Sequence, residues 1–183
     1  MYGGHGYVAE HGMEQFVRDA RITMIYEGAN GIQALDLVGR KLGKDGGRAL
    51  MAFFNEVQSY LKERAASDTM NVYLKPLGAA LAHLQRASMW FMQNAMAKPD
   101  NAGAGSTDFM HLFGLVSLGH MWGLMAKAAQ DGLASGEGDK TFHENKLATA
   151  RFYMERMMPE TALRLHRVTL GADSTMALPA EAF

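Results

Sequence analysis

The sequence predicts an all-α protein built as a helical bundle. Apolar residues recur at helical spacing along most of the chain, and glycine-rich stretches separate these segments. No alternating pattern of useful length indicates a β-strand. With 183 residues, 48% of them hydrophobic, the chain can bury a substantial core.

Charge and residue usage exclude several classes of function. The formal net charge of −1 gives no reason to expect nucleic acid or an anionic membrane as a partner. Because the chain has no cysteine, disulfides, thiolate metal sites and thiol catalysis are excluded. The seven histidines contain no His-x-x-x-His pair, so we expect no metal site. No signal peptide is apparent, and we predict a cytoplasmic protein.

Two helices are predicted before the first glycine cluster. The second of them carries Ile32, Leu35, Val38 and Leu42 at helical spacing. Gly43 and Gly46-Gly47 mark its end. The predicted ranges are 8–21 for the first helix, 22–28 for a connection and about 30–42 for the second helix. The cluster predicts a boundary between a first domain, 1–43, and an appended helical bundle, 44–183.

The rest of the chain predicts further long helices. Their approximate ranges are 48–66, 69–97, 108–131 and 142–170. Pro76 predicts a kink or a helix start within the second of these, and Pro159 interrupts the last, for which Gly171 is a C-cap candidate. Loops are predicted by composition at 99–106 and 132–141.

The segment from Phe109 to Ala126 contains no Asp, Glu, Lys or Arg. Its length approaches that of a membrane span, but charged residues bound it closely and it contains histidines and glycines. We therefore predict a central helix, buried on all sides by other helices or by a partner subunit, and no membrane span. The 15 methionines, including Met89, Met92 and Met121, are interpreted as core filling, with an adaptable surface as the alternative.

Glu27 is the first candidate for chemistry. It precedes Gly28 and the start of the second predicted helix, and a carboxylate on such a connection can face a cleft. Gly28 permits close approach of a ligand to the backbone, and free N–H groups open the helix. From these residues alone, a helix-entry glutamate is the default. Gly3 and Gly4 are likewise a weak signal, since turn glycines explain such a pair.

Three pieces of the sequence together resemble a known family. They are Gly3-Gly4-His5-Gly6-Tyr7, Arg18-Asp19-Ala20-Arg21-Ile22 and Tyr26-Glu27-Gly28. In this order and spacing they resemble the C-terminal catalytic segment of flavin-dependent acyl-CoA dehydrogenases. The resemblance is close over 2–42. It is looser beyond, where the sequence of 144–153 resembles the extra helical domain of a bacterial subfamily that includes methylmercaptopropionyl-CoA dehydrogenases.

The resemblance implies roles for individual residues. Glu27 would be the base that removes the α-proton of the acyl thioester, and the backbone of Gly28 would touch the substrate. Ala29, Asn30 and Gly31 would contact the FAD beside the base. Gly3 and Gly4 would lie against the adenosine-diphosphate part of FAD, usually that of the neighbouring subunit. Many relatives have Thr where this chain has Ala29, so a hydroxyl hydrogen bond to the flavin is missing here. Arg18 and Asp19 are expected to form a structural ion pair.

The resemblance also implies a reaction and its partners. The acyl-CoA substrate would become a trans-2-enoyl-CoA, and an electron-transfer flavoprotein would accept the electrons. The enzyme would be a homodimer or homotetramer. The resemblance covers only the C-terminal part of such an enzyme, so we expect this chain alone to be inactive and to carry no FAD. The alternative is a non-enzymatic helical oligomerisation or interaction module that retains the motif by descent.

Overall fold

The computed structural model describes residues 2–95 and 97–182, and this part of the chain is helical with no strand, which confirms the all-α prediction. Short turns connect the α-helices. The helices are α1 (Glu14–Tyr26), α2 (Ala29–Asp36), α3 (Arg48–Arg64), α4 (Asn71–Asn94), α5 (Asp100–Ser135), α6 (Lys140–Phe152) and α7 (Glu160–Thr169). The chain divides into two compact units between Gln33 and Ala34. The predicted domain boundary at residue 43 stays a prediction.

The second unit is a helical bundle around α5, which packs against α4, α6 and α7. Helix α3 joins it through Phe53, whose ring stacks on Phe113 of α5 at 5.0 Å. Of the apolar residues at helical spacing in α3, Leu50, Phe54 and Val57 are buried, and Phe53 and Leu61 are partly buried. Side chains such as Leu77, Leu84, Phe109, Leu112 and Val168 form one continuous core.

Helix α5 begins earlier than the sequence predicts, and the loop predicted at 99–106 is wrong. Pro99 precedes the helix, where a missing N–H costs nothing, and Asp100 stands at its positive end. Gly105 lies inside the helix against α4: a Cβ there would come within 2.8 Å of Cζ of Phe91. The glycines that predict a loop thus include one required for close helix packing.

The helices of the described chain do not bury α5 on all sides, and cover by a partner subunit stays a prediction. Phe109, Leu112 and Val116 are fully buried, but Leu118 is 55% exposed and Met121 45% exposed. By length and composition alone α5 could cross a membrane, and 39% of its most apolar window is buried inside the structure. Because neighbouring helices cover one side, we interpret α5 as the core helix of the bundle with one uncovered face.

The first helix is shifted towards the C-terminus relative to its prediction. Residues Gly3–Tyr7 and Ala9–His11 form two 3-10 turns, and Gly12 ends the second turn with a left-handed φ of 68°. Helix α1 then runs to Tyr26, since no residue in 22–26 breaks it, and only Glu27 and Gly28 remain as the connection.

Helix α2 continues into a π-helical turn at Leu37–Lys41. Of the four apolar residues at helical spacing, Val38 and Leu42 are buried, whereas Ile32 is 64% exposed and Leu35 47% exposed. The following turn ends with Asp45, Gly46 and Gly47 in left-handed conformations, which confirms a helix break at this cluster.

The remaining connections are shorter than predicted. Helix α4 begins before Pro76, so Pro76 does not start it. The connection predicted at 132–141 is only a short turn. Helix α5 continues to Ser135 with Gly136 as its C-cap, and Asp139 caps α6 by accepting the Thr141 N–H at 2.8 Å. The last helix is a pair, as predicted, divided by a π-helical turn and Pro159, and Gly171 follows α7 with a left-handed φ of 69°.

The methionines are not mainly core filling in the region where they cluster. Met89 is 54% exposed and Met92 56% exposed, both on α4. The buried methionines lie elsewhere, at Met70, Met154 and Met158. The interpretation as core filling is therefore wrong for Met89, Met92 and Met121.

Candidate active site

Glu27 lies between α1 and α2 with an extended backbone, φ −67° and ψ 137°. Its side chain is exposed, and Oε1 accepts a hydrogen bond from the N–H of Asn30 at 2.7 Å. This N–H is one of the donors that the first turn of α2 leaves without an intrahelical partner. The carboxylate therefore caps α2, while Oε2 has no hydrogen-bond partner among the described residues.

This geometry is compatible with both roles that the sequence left open for Glu27, a helix-entry glutamate and a general base. The bond to Asn30 is what a helix-entry glutamate makes, and the positive end of the helix dipole stabilises a negative charge there. The same bond also fixes the orientation of the carboxylate and leaves one oxygen to accept a proton. A general base needs this second property, provided that a substrate can approach Oε2.

The glycines around Glu27 have open space where a side chain would be. A Cβ added at Gly28 or Gly31 would meet no atom within 4 Å. The same holds at Gly3, which has a left-handed φ of 55°, and at Gly4. Packing within the described chain therefore gives no reason for glycine at Gly4, Gly28 or Gly31, and the backbone there is accessible to a ligand.

The structure does not bring the two predicted glycine sites together. The ring of His11, just before α1, lies 5.9 Å from the rings of Tyr2 and His5, so the turn with Gly3 and Gly4 folds at the beginning of α1. Glu27 lies at the other end of this helix, which is about 20 Å long by the rise of 13 residues.

Arg18 and Asp19 do not pair with each other. Arg18 contacts the Glu14 carboxylate and the Gln15 side chain, and Asp19 accepts from Gln15 Nε2 at 2.7 Å. The contacts of Gln15 are exposed, and Arg18 is 63% exposed although the Glu14 side chain is largely covered, so these contacts one turn apart contribute little to stability. The contacts of Arg18 and Asp19 are structural, as predicted, but they are made with Glu14 and Gln15 and not with each other.

The segment that carries Glu27 has no core of its own. No side chain described between residues 2 and 33 is buried. Large apolar side chains are exposed instead, among them Phe16 at 67%, Ile25 at 67% and Tyr26 at 72%. A carboxylate on this segment lies in water, whereas proton abstraction from a weak carbon acid benefits from a closed, dry site.

A second polar cluster lies inside the bundle and was missed by sequence reasoning. His120 is 2% exposed, and its Nε2 lies 3.2 Å from Oε1 of Glu56 on α3. The ring of Tyr60 meets His120 edge-on at 5.0 Å, and burial raises the pKa of Tyr60. His120 Nδ1 and the Tyr60 hydroxyl have no hydrogen-bond partner within residues 2–95 and 97–182. Because Glu56 and His120 are 64 positions apart, no local motif could reveal their contact.

An open pocket of about 450 Å³ lies between the π-helical turn and the facing ends of α4 and α5. No lining residue is ionisable; the walls include Val38, Leu42, Phe91, Met92, Pro99 and Ala102. Such a pocket can take an apolar group but supplies no acid or base. The part of the chain that the structure describes also contains no group of three His, Asp or Glu that could hold a metal.

Comparison with protein families gives two adjacent matches. Residues 53–179 match the family described as Acetyl-CoA dehydrogenase C-terminal like. Residues 1–42 match the family described as Acyl-CoA dehydrogenase, C-terminal domain. The second match contains Glu27 and both glycine sites.

Curated relatives cover most of this chain. It is 37% identical to a 3-methylmercaptopropionyl-CoA dehydrogenase of Ruegeria pomeroyi, over 96% of this chain and 30% of that protein. It is 30% identical to a broad-specificity linear acyl-CoA dehydrogenase of Mycobacterium tuberculosis, over 86% of this chain and 27% of that protein. A butyryl-CoA dehydrogenase of Syntrophomonas wolfei is 26% identical over 99% of this chain and 30% of that protein. The chain thus spans less than a third of the length of these relatives.

Proposed function

Since the chain belongs to the acyl-CoA dehydrogenase family, as a C-terminal part, we propose that it contributes the catalytic base to an FAD-dependent enzyme that converts an acyl-CoA to a trans-2-enoyl-CoA. The observation that carries this proposal is the position of Glu27. Its carboxylate is oriented by one hydrogen bond, keeps one oxygen open, and lies within the segment that matches the catalytic family.

The proposed step at Glu27 is a proton transfer. Oε2 accepts the α-proton of the acyl thioester while the bond from the β-carbon to its hydrogen breaks and the α,β double bond forms. The N–H of Asn30 holds Oε1 at 2.7 Å, so the carboxylate does not have to reorient during the transfer. The backbone at Gly28 lies against the substrate, because no side chain there keeps it away.

We propose two separate FAD contacts at opposite ends of α1, with Gly3 and Gly4 against the FAD of the neighbouring subunit and residues 29–31 against the FAD beside Glu27. Gly3 and Gly4 offer backbone without side chains for the adenosine-diphosphate part, and Ala29, Asn30 and Gly31 open α2 with accessible backbone beside the base. When bound, FAD would supply the acceptor for the hydride that leaves the β-carbon. Ala29 can contribute only its backbone and methyl group. We propose that this chain alone carries no FAD, because its exposed segment cannot enclose so large a ligand.

The proposed partners follow from the same assignment. The substrate is an acyl-CoA, and the names of the relatives offer 3-methylmercaptopropionyl-CoA and linear acyl-CoAs as first candidates. We propose an electron-transfer flavoprotein as the electron acceptor, a homodimer or homotetramer as the assembly, and the cytoplasm as its location.

The test is a hybrid enzyme in which this chain replaces the matching 30% of the Ruegeria pomeroyi protein. In this hybrid, Glu27→Gln keeps the size of the side chain and a carbonyl acceptor for Asn30 but removes the base. General-base catalysis typically contributes about 10²–10⁴-fold. Flavin reduction by 3-methylmercaptopropionyl-CoA, followed by stopped-flow absorbance, should therefore slow by at least about 10²-fold.

Glu10→Gln is the matched control, because Glu10 is an exposed glutamate in the same segment but lies away from Glu27, before α1. It should leave flavin reduction unchanged, and both variants should retain the flavin absorbance of the hybrid. Flavin reduction by Glu27→Gln at the unaltered rate would show that Glu27 is not the base. The isolated chain gives a second readout: its visible spectrum should contain no flavin bands.

The alternative function is a non-enzymatic helical oligomerisation or interaction module. The capping bond of Glu27 favours it, since this bond gives the carboxylate a structural role without any substrate. On this alternative, Glu27→Gln changes only the stability of α2. The hybrid enzyme therefore separates the two functions.

A further inference from the structure

Helices α3 and α5 meet at a buried polar contact. Tyr60 of α3 is 4% exposed and His120 of α5 is 2% exposed, and the centroids of their rings lie 5.0 Å apart in an edge-on arrangement. The guanidinium of Arg64 lies over the Tyr60 ring, with Cζ 4.3 Å from the ring centroid. Because the helices of this chain already bury Tyr60 and His120, no other part of a larger protein is needed to close the contact.

Three polar atoms at this contact lack a hydrogen-bond partner among the residues that the structure describes. They are the Tyr60 hydroxyl oxygen, Nδ1 of His120 and Nε of Arg64, and each of them is buried. Buried polar atoms in folded proteins are nearly always hydrogen-bonded, to protein or to ordered water. An unpaired one is costly, because it has given up its bonds to bulk water. Their concentration at one contact indicates a bound polar molecule.

Gly123 places the Tyr60 hydroxyl beside His120. A Cβ built at Gly123 would come within 2.9 Å of the hydroxyl oxygen, so glycine lets Tyr60 lie this close to α5. Residues three apart are neighbours on a helix surface, so the hydroxyl and the His120 ring share one patch of α5. The two side chains nevertheless form no hydrogen bond with each other. A small polar molecule between them would pair both atoms.

The chemistry of the unpaired atoms identifies this molecule. Nε2 of His120 lies 3.2 Å from Oε1 of Glu56. An ionised carboxylate only accepts hydrogen bonds, so Nε2 carries the hydrogen, and Nδ1 of the neutral ring is an acceptor. The Tyr60 hydroxyl is free to donate. The bound molecule must therefore accept from Tyr60 and donate to His120, which water can do and a simple anion cannot.

We propose that the bundle holds an ordered water molecule between α3 and α5, hydrogen-bonded to the Tyr60 hydroxyl and to Nδ1 of His120. Buried waters typically make about three hydrogen bonds, and Nε–H of Arg64, beside the Tyr60 ring, can be the third partner. The water completes a polar link from Glu56, whose side chain is 65% exposed, through His120 to Tyr60. This inference does not depend on the role of Glu27.

A crystal structure of the chain, at a resolution that shows ordered waters, tests the site directly. A water should lie within about 3.2 Å of both the Tyr60 hydroxyl oxygen and Nδ1 of His120. Nitrogen-15 spectra of the neutral His120 ring should place its hydrogen on Nε2. A direct bond between Tyr60 and His120, a contact without water, or a hydrogen on Nδ1 of the neutral ring would overturn the proposal.

Tyr60→Phe tests the same bond in solution, because it removes only the hydroxyl. If the hydroxyl bonds to water, its loss should lower the equilibrium constant for folding by roughly 5-fold, measured by urea unfolding. If the hydroxyl is unpaired, its removal should leave this constant unchanged or raise it.

Tyr153→Phe is the matched control for Tyr60→Phe. Tyr153 is also buried, but its hydroxyl donates directly to the Leu115 carbonyl at 3.0 Å, so its removal should lower the equilibrium constant for folding with or without a bound water. Circular dichroism verifies that both variants fold. If Tyr60→Phe is as stable as the original chain, in an assay that registers the loss from Tyr153→Phe, the proposed water is refuted.

Discussion

Phe109 offers the sharpest test of the bundle, because α5 carries its core on one face only. Its side chain is fully buried, and its ring meets Phe91 edge-on at 5.3 Å and Phe113 at 6.2 Å. Phe109→Ala removes the ring from a packed site between α4 and α5. Truncations of this kind cost about 3–5 kcal/mol. We expect the free energy of unfolding to fall by about 4 kcal/mol, a large part of the ~5–15 kcal/mol typical of a domain.

The assay is urea unfolding followed by circular dichroism, with a thermal scan as the second readout. At roughly 2–4 °C per kcal/mol for a chain of this size, the midpoint temperature should drop by about 8–16 °C. Leu118→Ala is the control on the opposite face of the same helix, where the side chain is 55% exposed. At concentrations where the chain is monomeric it should change stability by less than about 0.5 kcal/mol. Equal effects of the two variants, or a loss below about 1.5 kcal/mol for Phe109→Ala, would refute the one-sided core.

Two further outcomes follow from polar contacts in the bundle. His83 lies 2.9 Å from the Thr161 hydroxyl, and burial lowers its pKa, so the unfolded chain binds the proton more tightly. The free energy of unfolding should therefore fall as the pH drops from about 6.5 through the lowered pKa. His83→Gln should reduce the difference between the urea midpoints measured at pH 7.5 and at pH 5. Asp108 accepts from Arg164 at 2.6 Å with both side chains largely buried, so Asp108→Ala should cost about 1–3 kcal/mol. Arg151→Ala, which breaks an exposed pair, should cost less than about 1 kcal/mol in the same assay.

The sequence predicts the helices well where a single face meets the core. In α3, Leu50, Phe54 and Val57 recur at helical spacing and are buried as expected. Prediction fails where glycine serves packing rather than a turn, as at Gly105 beside Phe91, because composition does not distinguish the two uses. Helical spacing alone also does not decide burial, since Ile32 is spaced like a buried residue but this chain leaves it exposed.

The candidate site could likewise be predicted from the sequence only in part. Family resemblance identifies Glu27 and Gly28, and spacing alone identifies the helix that follows them. The bond from the Asn30 N–H to Glu27 depends on backbone geometry at the helix start, which sequence reasoning anticipated only as a helix-entry glutamate. The contact of His120 with Glu56 joins distant parts of the chain and could not be predicted from local patterns.

The exposed segment at residues 2–33 has a consequence for how the chain unfolds. A segment without buried side chains gains no free energy from its own packing, so its order depends on the surface that covers it. Mild denaturant or heat should release this segment while the bundle around α5 is still folded. Release of the segment and unfolding of the bundle would then be separate transitions, and a probe of the segment alone would underestimate the stability of the larger part of the chain.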